Sequence, residues 1–461
     1  MGTFSIENFG CRATEADAAA LRRGLIENGL TPAAGHDSAE VVVLNTCTVT
    51  AAADSQARDA VRKIRRANPG ARIVVTGCYA QRAPEELAAI DGVAYVVGNS
   101  HQAEIPSVVR GLAAQPAATP DFVPVAHLED DAMSLARGPA KILTGNIFAQ
   151  SAVQIAPASL MAGDHTRPIL KIQDGCNNRC SYCVIPFVRG RSRSLPPDDV
   201  VREVRALRAA GAKEIVLSGI NLGSYGRDLA PRAGLAGVVQ RILDETEIEQ
   251  LRFSSIEPQD VTEDFVALVA SSDRIAPHFH IPLQSGSDRI LRAMHRWYRT
   301  EHYAERVKLT RRRLPTAAIG ADVIVGFPGE TEADFQATVE FIESLPFTYL
   351  HVFSFSVRPG TAAASLGDAV PMQTIRERAR ALRALAEEKS AAFRASQAGS
   401  ILRALTLGRG GDDWTGALTG NYLKLRIAGR HPANQWREVC LGNDCAADEV
   451  RAEPAEISFR K

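Results

Sequence analysis

Residues 168–186 read "PILKIQDGCNNRCSYCVIP", a short apolar segment that runs directly into three closely spaced cysteines. The apolar part has the length and the isoleucine and leucine content of a buried β-strand. The three thiols belong to Cys176, Cys180 and Cys183, which follow the spacing C-x3-C-x2-C. A structural zinc site takes four ligands, usually as two pairs, so this loop is one ligand short. Three cysteines instead suit an iron-sulfur cluster in which one iron has no protein ligand.

Five further strand candidates follow this segment, and helical patterns separate them. Each candidate runs into glycine or polar residues; the five are 214–221, 250–257, 278–286, 318–328 and 349–356. The helical pattern at 196–211 begins with proline, has acids in its first turn and ends at glycine,. Six βα units in succession predict a barrel or partial barrel, with its chemistry at the C-terminal ends of the strands.

Three more cysteines lie near the N-terminus, each at the end of a short apolar segment. Cys11, Cys47 and Cys78 end these segments, and two helix-like stretches lie between them. This β-α-β-α-β order predicts a parallel sheet, whose carboxyl strand ends share one edge. Each cysteine alone would favour a small buried side chain. Three at strand ends favour a second metal site, although they are far apart in the sequence.

The fold class that we predict is α/β, with three domains. Residues 1–110 form the parallel-sheet domain, 111–164 a linker, 165–393 the (βα)6 partial barrel and 394–461 a small β-barrel. The linker is rich in proline and alanine without periodicity. The C-terminal part has short alternating segments and turn signals, and its Trp414, Tyr422, Lys424, Arg426 and Trp436 are candidates for RNA contact or for a small core,.

Composition restricts the function classes. Lysine plus arginine and aspartate plus glutamate both number 53, so any nucleic-acid contact must come from a local patch,. Eight cysteines in a chain of 461 residues do not indicate a disulfide scaffold, and clustered thiols in a reducing compartment indicate metal binding or catalysis,. No run of 18 apolar residues occurs, so we expect a cytoplasmic protein without membrane segments.

Positive charge is concentrated in two stretches. Residues 189–213 have seven basic residues against three acidic ones, and residues 292–313 have eight against two. Such stretches with aromatic residues suit phosphate contacts and base stacking, whereas a solvated helix face is the plainer interpretation. The candidates for RNA binding are Arg189, Arg191, Arg193, Arg296 and Trp297.

Six segments make the chain resemble the methylthiotransferase family of radical S-adenosylmethionine (SAM) enzymes. They are "NTCTVTAAADSQAR", "VVTGCYAQRAPEEL", "LKIQDGCNNRCSYCVIPFVRGRSRS", "HIPLQSGSDRILRAMHRWY", "DVIVGFPGETEADF" and "HVFSFSVRPGTAA". The segment "LSGINLGSYG" resembles the branch that acts on threonylcarbamoyladenosine in tRNA more than the branches for isopentenyladenosine or a ribosomal protein. Thr14 departs from the family pattern, which commonly has asparagine there.

The resemblance implies two 4Fe-4S clusters. Cys176, Cys180 and Cys183 would hold the SAM-cleaving cluster, and Cys11, Cys47 and Cys78 an auxiliary cluster that carries sulfur. One SAM would supply a methyl group, and a second would give the radical that takes hydrogen from carbon 2 of adenine. The implied partners are tRNA and an electron donor such as flavodoxin or ferredoxin. The cofactor carries the difficult chemistry, so we assign no catalytic side chain.

Further residues are candidates for contact with SAM. Tyr182 could pack on its adenine or fill the core, and Ser218 and Gly219 could lie near the methionine amino group or only form a tight turn. Glu257, Gln284 and Gly326 are at strand ends that face the expected barrel mouth. A different functional class stays open: an iron-sulfur module for RNA binding or electron transfer, without SAM chemistry.

Overall fold

The computed structural model describes residues 2–114, 140–151, 153, 166–446 and 449–454. These residues form a parallel sheet with helices, a partial barrel made of two sheets, and a closed five-stranded barrel. The predicted fold class is therefore confirmed.

The N-terminal sheet is parallel, in the order β2-β1-β3-β4-β5-β6. Its strands are β1 Thr3–Asn8, β2 Thr31–Pro32, β3 Val41–Thr46, β4 Arg72–Gly77, β5 Val93–Gly98 and β6 Lys141–Leu143. Its helices are α1 Arg12–Glu27, α2 Ala51–Ala67, α3 Cys78–Arg82, α4 Pro84–Ala88 and α5 Ile105–Ala113. The central β3 is buried on both faces because helices cover both sides of the sheet,.

Strand β6 comes from within the stretch that we predicted to be a linker. Lys141, Ile142 and Leu143 extend the sheet beside β5, although only three residues pair. Such a short edge strand has too few residues to show a period in the sequence. Of the predicted linker, residues 115–139, 152 and 154–164 lie outside the described residues.

The central domain contains all six predicted strands. They are β7 Ile169–Asp174, β9 Glu214–Gly219, β10 Gln250–Phe253, β11 His278–His280, β12 Ala318–Val325 and β13 Tyr349–Ser354; the short β8 Arg193–Ser194 was not predicted and pairs antiparallel with β7. One sheet has the order β10-β9-β7-β8 and the other β11-β12-β13. Isolated bridges join β10 to the segment around β11, so the two sheets form one curved wall.

Helices follow the strands around the outside of this wall. They are α6 Ile185–Arg189, α7 Pro197–Ala209, α8 Leu235–Glu245, α9 Glu263–Ala270, α10 Asp288–Ala293, α11 Thr300–Arg313, α12 Glu332–Ser344 and α13 Met372–Ser396. Alternate strand residues such as Leu170, Ile172 and Leu251 face these helices and form the main core. The residues between them, among them Lys171, Gln173 and Arg252, are polar and face the lumen,.

The C-terminal barrel closes in the order β14-β15-β16-β18-β17. Its strands are β14 Ile401–Gly410, β15 Trp414–Thr419, β16 Lys424–Ala428, β17 Trp436–Ala446 and β18 Glu449–Pro454. Small and branched apolar side chains fill it, including Ala404, Leu425 and Ile427. Closure leaves this small sheet without an exposed edge.

A buried arginine joins the central domain to this barrel. Arg252 forms an ion pair with Glu214, Nε to Oε1 at 2.8 Å, and both side chains are 0% exposed. Its terminal nitrogens donate to the carbonyls of Thr419, the last residue of β15, and of Gly420, in the turn between β15 and β16. The same turn places the ring of Tyr422 on His278, with ring centroids 4.3 Å apart. Tyr422, one of the RNA candidates, is therefore an interdomain contact.

No helix within the described ranges has both the length and the apolar character needed to cross a membrane.

Replacement of Arg252 by methionine is expected to lower the free energy of unfolding by about 3–5 kcal/mol, because it leaves a buried carboxylate without its main partner. Urea unfolding, followed by limited proteolysis to detect release of the C-terminal barrel, would measure it. Arg205→Met is the matched control, since Arg205 pairs with Glu245 at the surface and should cost about 0–1 kcal/mol,. Equal stability of the two variants would contradict this role.

Candidate functional site

The loop with Cys176, Cys180 and Cys183 follows β7 directly and is held by backbone hydrogen bonds. Cys176 N donates to Gly190 O at 3.1 Å, and Cys183 N donates to Cys180 O at 3.1 Å. Gly175 has a φ of +69°, and a Cβ there would lie 2.0 Å from Arg191 O. Only glycine fits this close approach, which turns the chain from the strand into the loop.

Nitrogen donors surround the sulfur atoms of this loop. Asn178 N lies 3.4 Å from Cys176 Sγ, and Asn221 Nδ2 lies 3.9 Å from the same sulfur. Arg296 Nη1 donates to Cys180 Sγ at 3.3 Å. Donors of this kind tune iron-sulfur clusters and favour sulfur in the thiolate form. The three sulfurs and their donors thus fit a cluster with three protein ligands.

Each cysteine trio contains buried thiols that resist deprotonation without a metal. Burial raises the pKa of Cys183 to about 12, with Cys180 and Cys176 adding to the effect. Burial likewise raises the pKa of Cys47 to about 12, with contributions from Cys78 and Cys11. A bound metal replaces these protons and supplies the positive charge that the thiolates lack.

The N-terminal trio forms at the carboxyl edge of the sheet, as predicted. Cys47 follows β3, Cys78 is the first residue of α3, and Cys11 precedes α1. A Cβ on Gly10, whose φ is +125°, would lie 2.5 Å from Cys47 Cβ. The Thr14 hydroxyl donates to the Cys11 carbonyl at 2.7 Å, so threonine ties down this turn where the family commonly has asparagine.

The two trios meet across helix α6, which begins two residues after Cys183. Cys78 packs with Val184 and Val188 in one apolar cluster. Asn99 joins the same two elements, since its Nδ2 donates to Val188 O at 2.9 Å and lies 3.6 Å from Cys78 Sγ. One short helix, α6, therefore separates the two sites.

A buried network of charges holds this arrangement. Asp17 of α1 pairs with Lys171 of β7 and, at 2.7 Å, with Arg189 of α6. Asp174 pairs with Lys171 at 3.0 Å and with Arg189 at 3.2 Å, and Arg193 also contacts it. Burial raises the pKa of Asp174, but the three cations together hold it well below its usual range. Three cations against two carboxylates leave a positive balance beside Cys78, whose thiol also contacts Arg189.

Three of the predicted RNA-binding residues are therefore in the wrong place for that role. Arg189 is 2% exposed and Arg193 is buried, because both neutralise Asp174. Arg296 is buried between Cys180 and Glu257, with which it forms an ion pair. Arg191 is exposed and Trp297 is 55% exposed, so these two side chains can reach a partner.

The predicted SAM contacts lie around the barrel mouth in different environments. Tyr182 packs with Ile290, Met294 and Phe327 in an apolar cluster. Ser218 is buried at the end of β9, and Gly219 follows it beside Gln173.

Three other predicted SAM contacts are positioned by their backbone conformation or by an ion pair. Glu257 precedes a short 3-10 turn and pairs with Arg296. Gln284 has a φ of +68° and exchanges backbone hydrogen bonds with β12. Gly326 has a φ of +78°, and a Cβ there would lie 2.4 Å from Ile375, so close packing on α13 explains this glycine.

Sequence reasoning missed Asn221, which lies beside Cys176 in the "LSGIN" segment. Its Nδ2 faces Cys176 Sγ, and its Oδ1 is buried without a hydrogen-bond partner. A buried acceptor without a partner is costly and suits a ligand donor such as an ammonium group. Its position at a predicted strand end was a usable signal. Asp17, Lys171 and Asn99 gave none, because each of them has a partner in another domain.

Comparison with known proteins agrees with this geometry. Residues 170–342 match the Radical SAM superfamily, and residues 3–98 match a family described as "Uncharacterized protein family UPF0004". The structure of the radical SAM methyltransferase TsrM from Kitasatospora setae is similar to this fold, with a TM-score of 0.55 and 17% identity. The similarity covers 79% of this chain and 77% of that one.

Full-length relatives are more informative. The chain is 37% identical to the threonylcarbamoyladenosine tRNA methylthiotransferase MtaB of Aquifex aeolicus (strain VF5), over 92% of this chain and 96% of the relative. The MtaB protein of Bacillus subtilis (strain 168) is 35% identical over 87% and 84%, respectively. The tRNA-2-methylthio-N(6)-dimethylallyladenosine synthase of Thermobifida fusca (strain YX) is 34% identical over 85% and 76%. The chain belongs to the methylthiotransferase family of radical SAM enzymes.

Proposed function

We propose that this enzyme inserts a methylthio group at carbon 2 of N6-threonylcarbamoyladenosine at position 37 of tRNA. The observation that carries the proposal is the contact of Cys78 with α6, which brings two cysteine trios to opposite sides of one short helix. One trio would serve SAM cleavage and the other sulfur delivery. The names of the relatives with 35–37% identity support the choice of nucleoside.

SAM and a 4Fe-4S cluster are the cofactors of the radical SAM family, and we propose a second 4Fe-4S cluster. Cys176, Cys180 and Cys183 would hold the first cluster, and Cys11, Cys47 and Cys78 the second. When bound, SAM supplies both the methyl group and the radical that breaks the carbon 2–hydrogen bond of the adenine. Asn221, Ser218 and Gly219 would orient the methionine part of SAM; the other proposed contacts are Tyr182, Glu257, Gln284 and Gly326.

The side chains around the clusters position groups and adjust charge. Arg296 donates to Cys180 Sγ and pairs with Glu257, so it would place one cation beside the first cluster. Arg189 places another beside Cys78. Because both guanidinium groups are buried, water screens these charges only weakly,. They would stabilise the more negative, reduced clusters, and we assign no catalytic side chain.

The remaining proposals concern partners and organisation. We keep the division into residues 1–110, 111–164, 165–393 and 394–461, with tRNA and an electron donor such as flavodoxin or ferredoxin as partners in the cytoplasm. Arg191 and Trp297 would contact the RNA, since both are exposed and adjoin residues that hold the cysteine loop. Gly175 approaches Arg191 O, and Trp297 follows Arg296.

Mass spectrometry of tRNA nucleosides tests the reaction and the substrate together. Expression in cells that lack the modification should produce the 2-methylthio derivative of threonylcarbamoyladenosine, and the Cys180→Ala variant should not. A methylthio group on isopentenyladenosine or on a ribosomal protein would move the proposal to another branch of the family. An unchanged nucleoside profile together with intact SAM would favour the iron-sulfur module without SAM chemistry.

Replacement of Cys47 by alanine should distinguish the roles of the two cysteine trios. We expect the variant to keep reductive SAM cleavage, since Cys176, Cys180 and Cys183 are untouched, and to lose sulfur insertion completely. Anaerobic reconstitution, iron analysis and product quantification measure these properties, with Cys440→Ala, an exposed cysteine of the C-terminal barrel, as the control. Continued insertion by the Cys47 variant would refute the two-cluster assignment.

Replacement of Arg296 by methionine should lower the midpoint potential of the first cluster. Loss of a buried cation penalises the reduced state, and a change worth about 1.4 kcal/mol equals about 59 mV for one electron. A redox titration monitored by electron paramagnetic resonance measures the shift. Arg296→Lys should retain most of the potential, and Arg292→Met, an exposed neighbour, should leave it unchanged. An unaltered potential in Arg296→Met would contradict the proposed effect of this charge.

Replacement of Trp297 or Arg191 by alanine should weaken tRNA binding without affecting SAM cleavage. Loss of one base stack costs about 1–3 kcal/mol, which corresponds to roughly 5- to 150-fold in affinity for Trp297→Ala. Fluorescence anisotropy at fixed salt measures the affinity. Arg205→Ala is the control because Arg205, on α7, pairs with Glu245 of α8 at the outer surface. The same loss in Arg205→Ala would show that the effect is not local to the mouth.

A further inference from the structure

Three side chains that the proposed function does not use converge in the lumen of the central domain. They are His280 of β11, Asp322 of β12 and His351 of β13. Asp322 pairs in register with His351, and β11 lies on the other side of β12. The adjoining strand residues Phe279, Ala321 and Leu350 face the outer helices. Alternation therefore directs the two imidazoles and the carboxylate to the lumen side.

The distances among these groups match those of a metal-ligand set. Asp322 Oδ1 lies 3.0 Å from His280 Nε2 and 3.2 Å from His351 Nδ1. One ligand atom from each of the three residues lies within 4.8 Å of the others. Bonds of about 2.0–2.1 Å from zinc to nitrogen or oxygen give ligand-to-ligand distances of about 3.3 Å in a tetrahedron. Both contacts of Asp322 are near that value.

The second ring nitrogen of His280 is held by a neighbouring hydroxyl. His280 Nδ1 lies 3.0 Å from Tyr349 Oη, which in turn lies 2.8 Å from His278 Nε2. Hydrogen bonds of this kind to the far nitrogen orient metal-binding imidazoles and set which nitrogen is free. The chain of contacts thus aims His280 Nε2 at Asp322 from a fixed position.

The site is also accessible. The side chain of His351 is 55% exposed, whereas His280 and Asp322 are 7% and 24% exposed. Two histidines and one carboxylate with an open position form the ligand set of many zinc and non-haem iron centres. In the part of the chain that the structure describes, the ion-pair partners of Asp322 are these two histidines. An incoming cation would therefore not have to displace an arginine or lysine.

We propose that His280, Asp322 and His351 bind one divalent first-row transition-metal ion, with an open coordination position on the lumen side. The site is separate from the six cysteines and goes beyond the proposed function, because it requires no particular RNA substrate. An oxygen donor of a bound molecule would complete its coordination.

Zinc is the probe that separates this site from the iron of the clusters. The untagged holoenzyme, reconstituted with iron and sulfide, is equilibrated with Zn²⁺, desalted and measured for zinc by mass spectrometry. Zinc X-ray absorption then identifies the ligands. We expect about one zinc per chain, with nitrogen and oxygen neighbours at about 2.0–2.1 Å and no sulfur at about 2.3 Å.

Substitutions of the proposed ligands test whether these three residues hold the zinc. His351→Ala and Asp322→Asn should each lose stoichiometric zinc while keeping the iron content. Tyr349→Phe should weaken zinc binding by about 10- to 100-fold, as expected for loss of an outer hydrogen bond. His431→Ala is the matched control, since the ring of this partly exposed histidine of the C-terminal barrel contacts the backbone carbonyl of Ala428 rather than a carboxylate.

Three outcomes would overturn the proposal. They are wild-type enzyme with far less than one zinc per chain, zinc with sulfur neighbours only, and equal zinc content in His351→Ala and wild type. Any of them would leave the three side chains as a hydrogen-bonded group of the barrel wall. Because the zinc measurement needs no RNA, its result is independent of the nucleoside test of the proposed function.

Discussion

The carboxylate of Asp17 is buried between Lys171 and Arg189, and the placement of the two cysteine trios depends on this ion pair. Asp17 lies on the helix that follows Cys11, Lys171 on the strand that leads to Cys176, and Arg189 at the end of the helix that follows Cys183. The network thus joins the polypeptide next to each trio. Buried charges tolerate little displacement, since the loss of one partner costs about 3–5 kcal/mol. A fixed distance between the two sites is the consequence.

The lumen of the central domain combines this polar network with two others. Arg252 and Glu214 lie toward the C-terminal barrel, where they hold the turn that carries Tyr422. His280, Asp322 and His351 lie on the opposite sheet. Hydrophobic side chains occupy the other face of the same strands and pack on the helices. The stability of the domain therefore comes from its outer layer, and its inner surface can carry charge because each buried charge has a partner.

Local patterns were sufficient for most of the secondary structure but not for deciding which charged side chains are buried. The strands around Cys47, Cys78 and Cys176 were predictable, because buried parallel strands are continuous apolar runs with polar residues at their ends. Arg189, Arg191 and Arg193 occupy one short basic segment, yet only Arg191 is exposed. Two things decide which of these arginines turn inward: the alternation of side chains between the two faces around β8, and the position of Asp174, with which Arg189 and Arg193 pair. The three-residue β6 had too little pattern to be recognised.

The sequence by itself determined the chemistry of this protein: two sets of three thiols, each at the ends of predicted strands and each short of a fourth ligand. Spacing and strand order are local properties, so they can be read without coordinates. Only the tertiary structure decided how the sets are related, because the contact of Cys78 with Val184 and the pairing of Asp17 with Arg189 join distant segments. The same holds for Asp322 and its two histidines, which three separate strands bring together. Such contacts arise from strand register and domain packing, for which a single sequence contains no local signal.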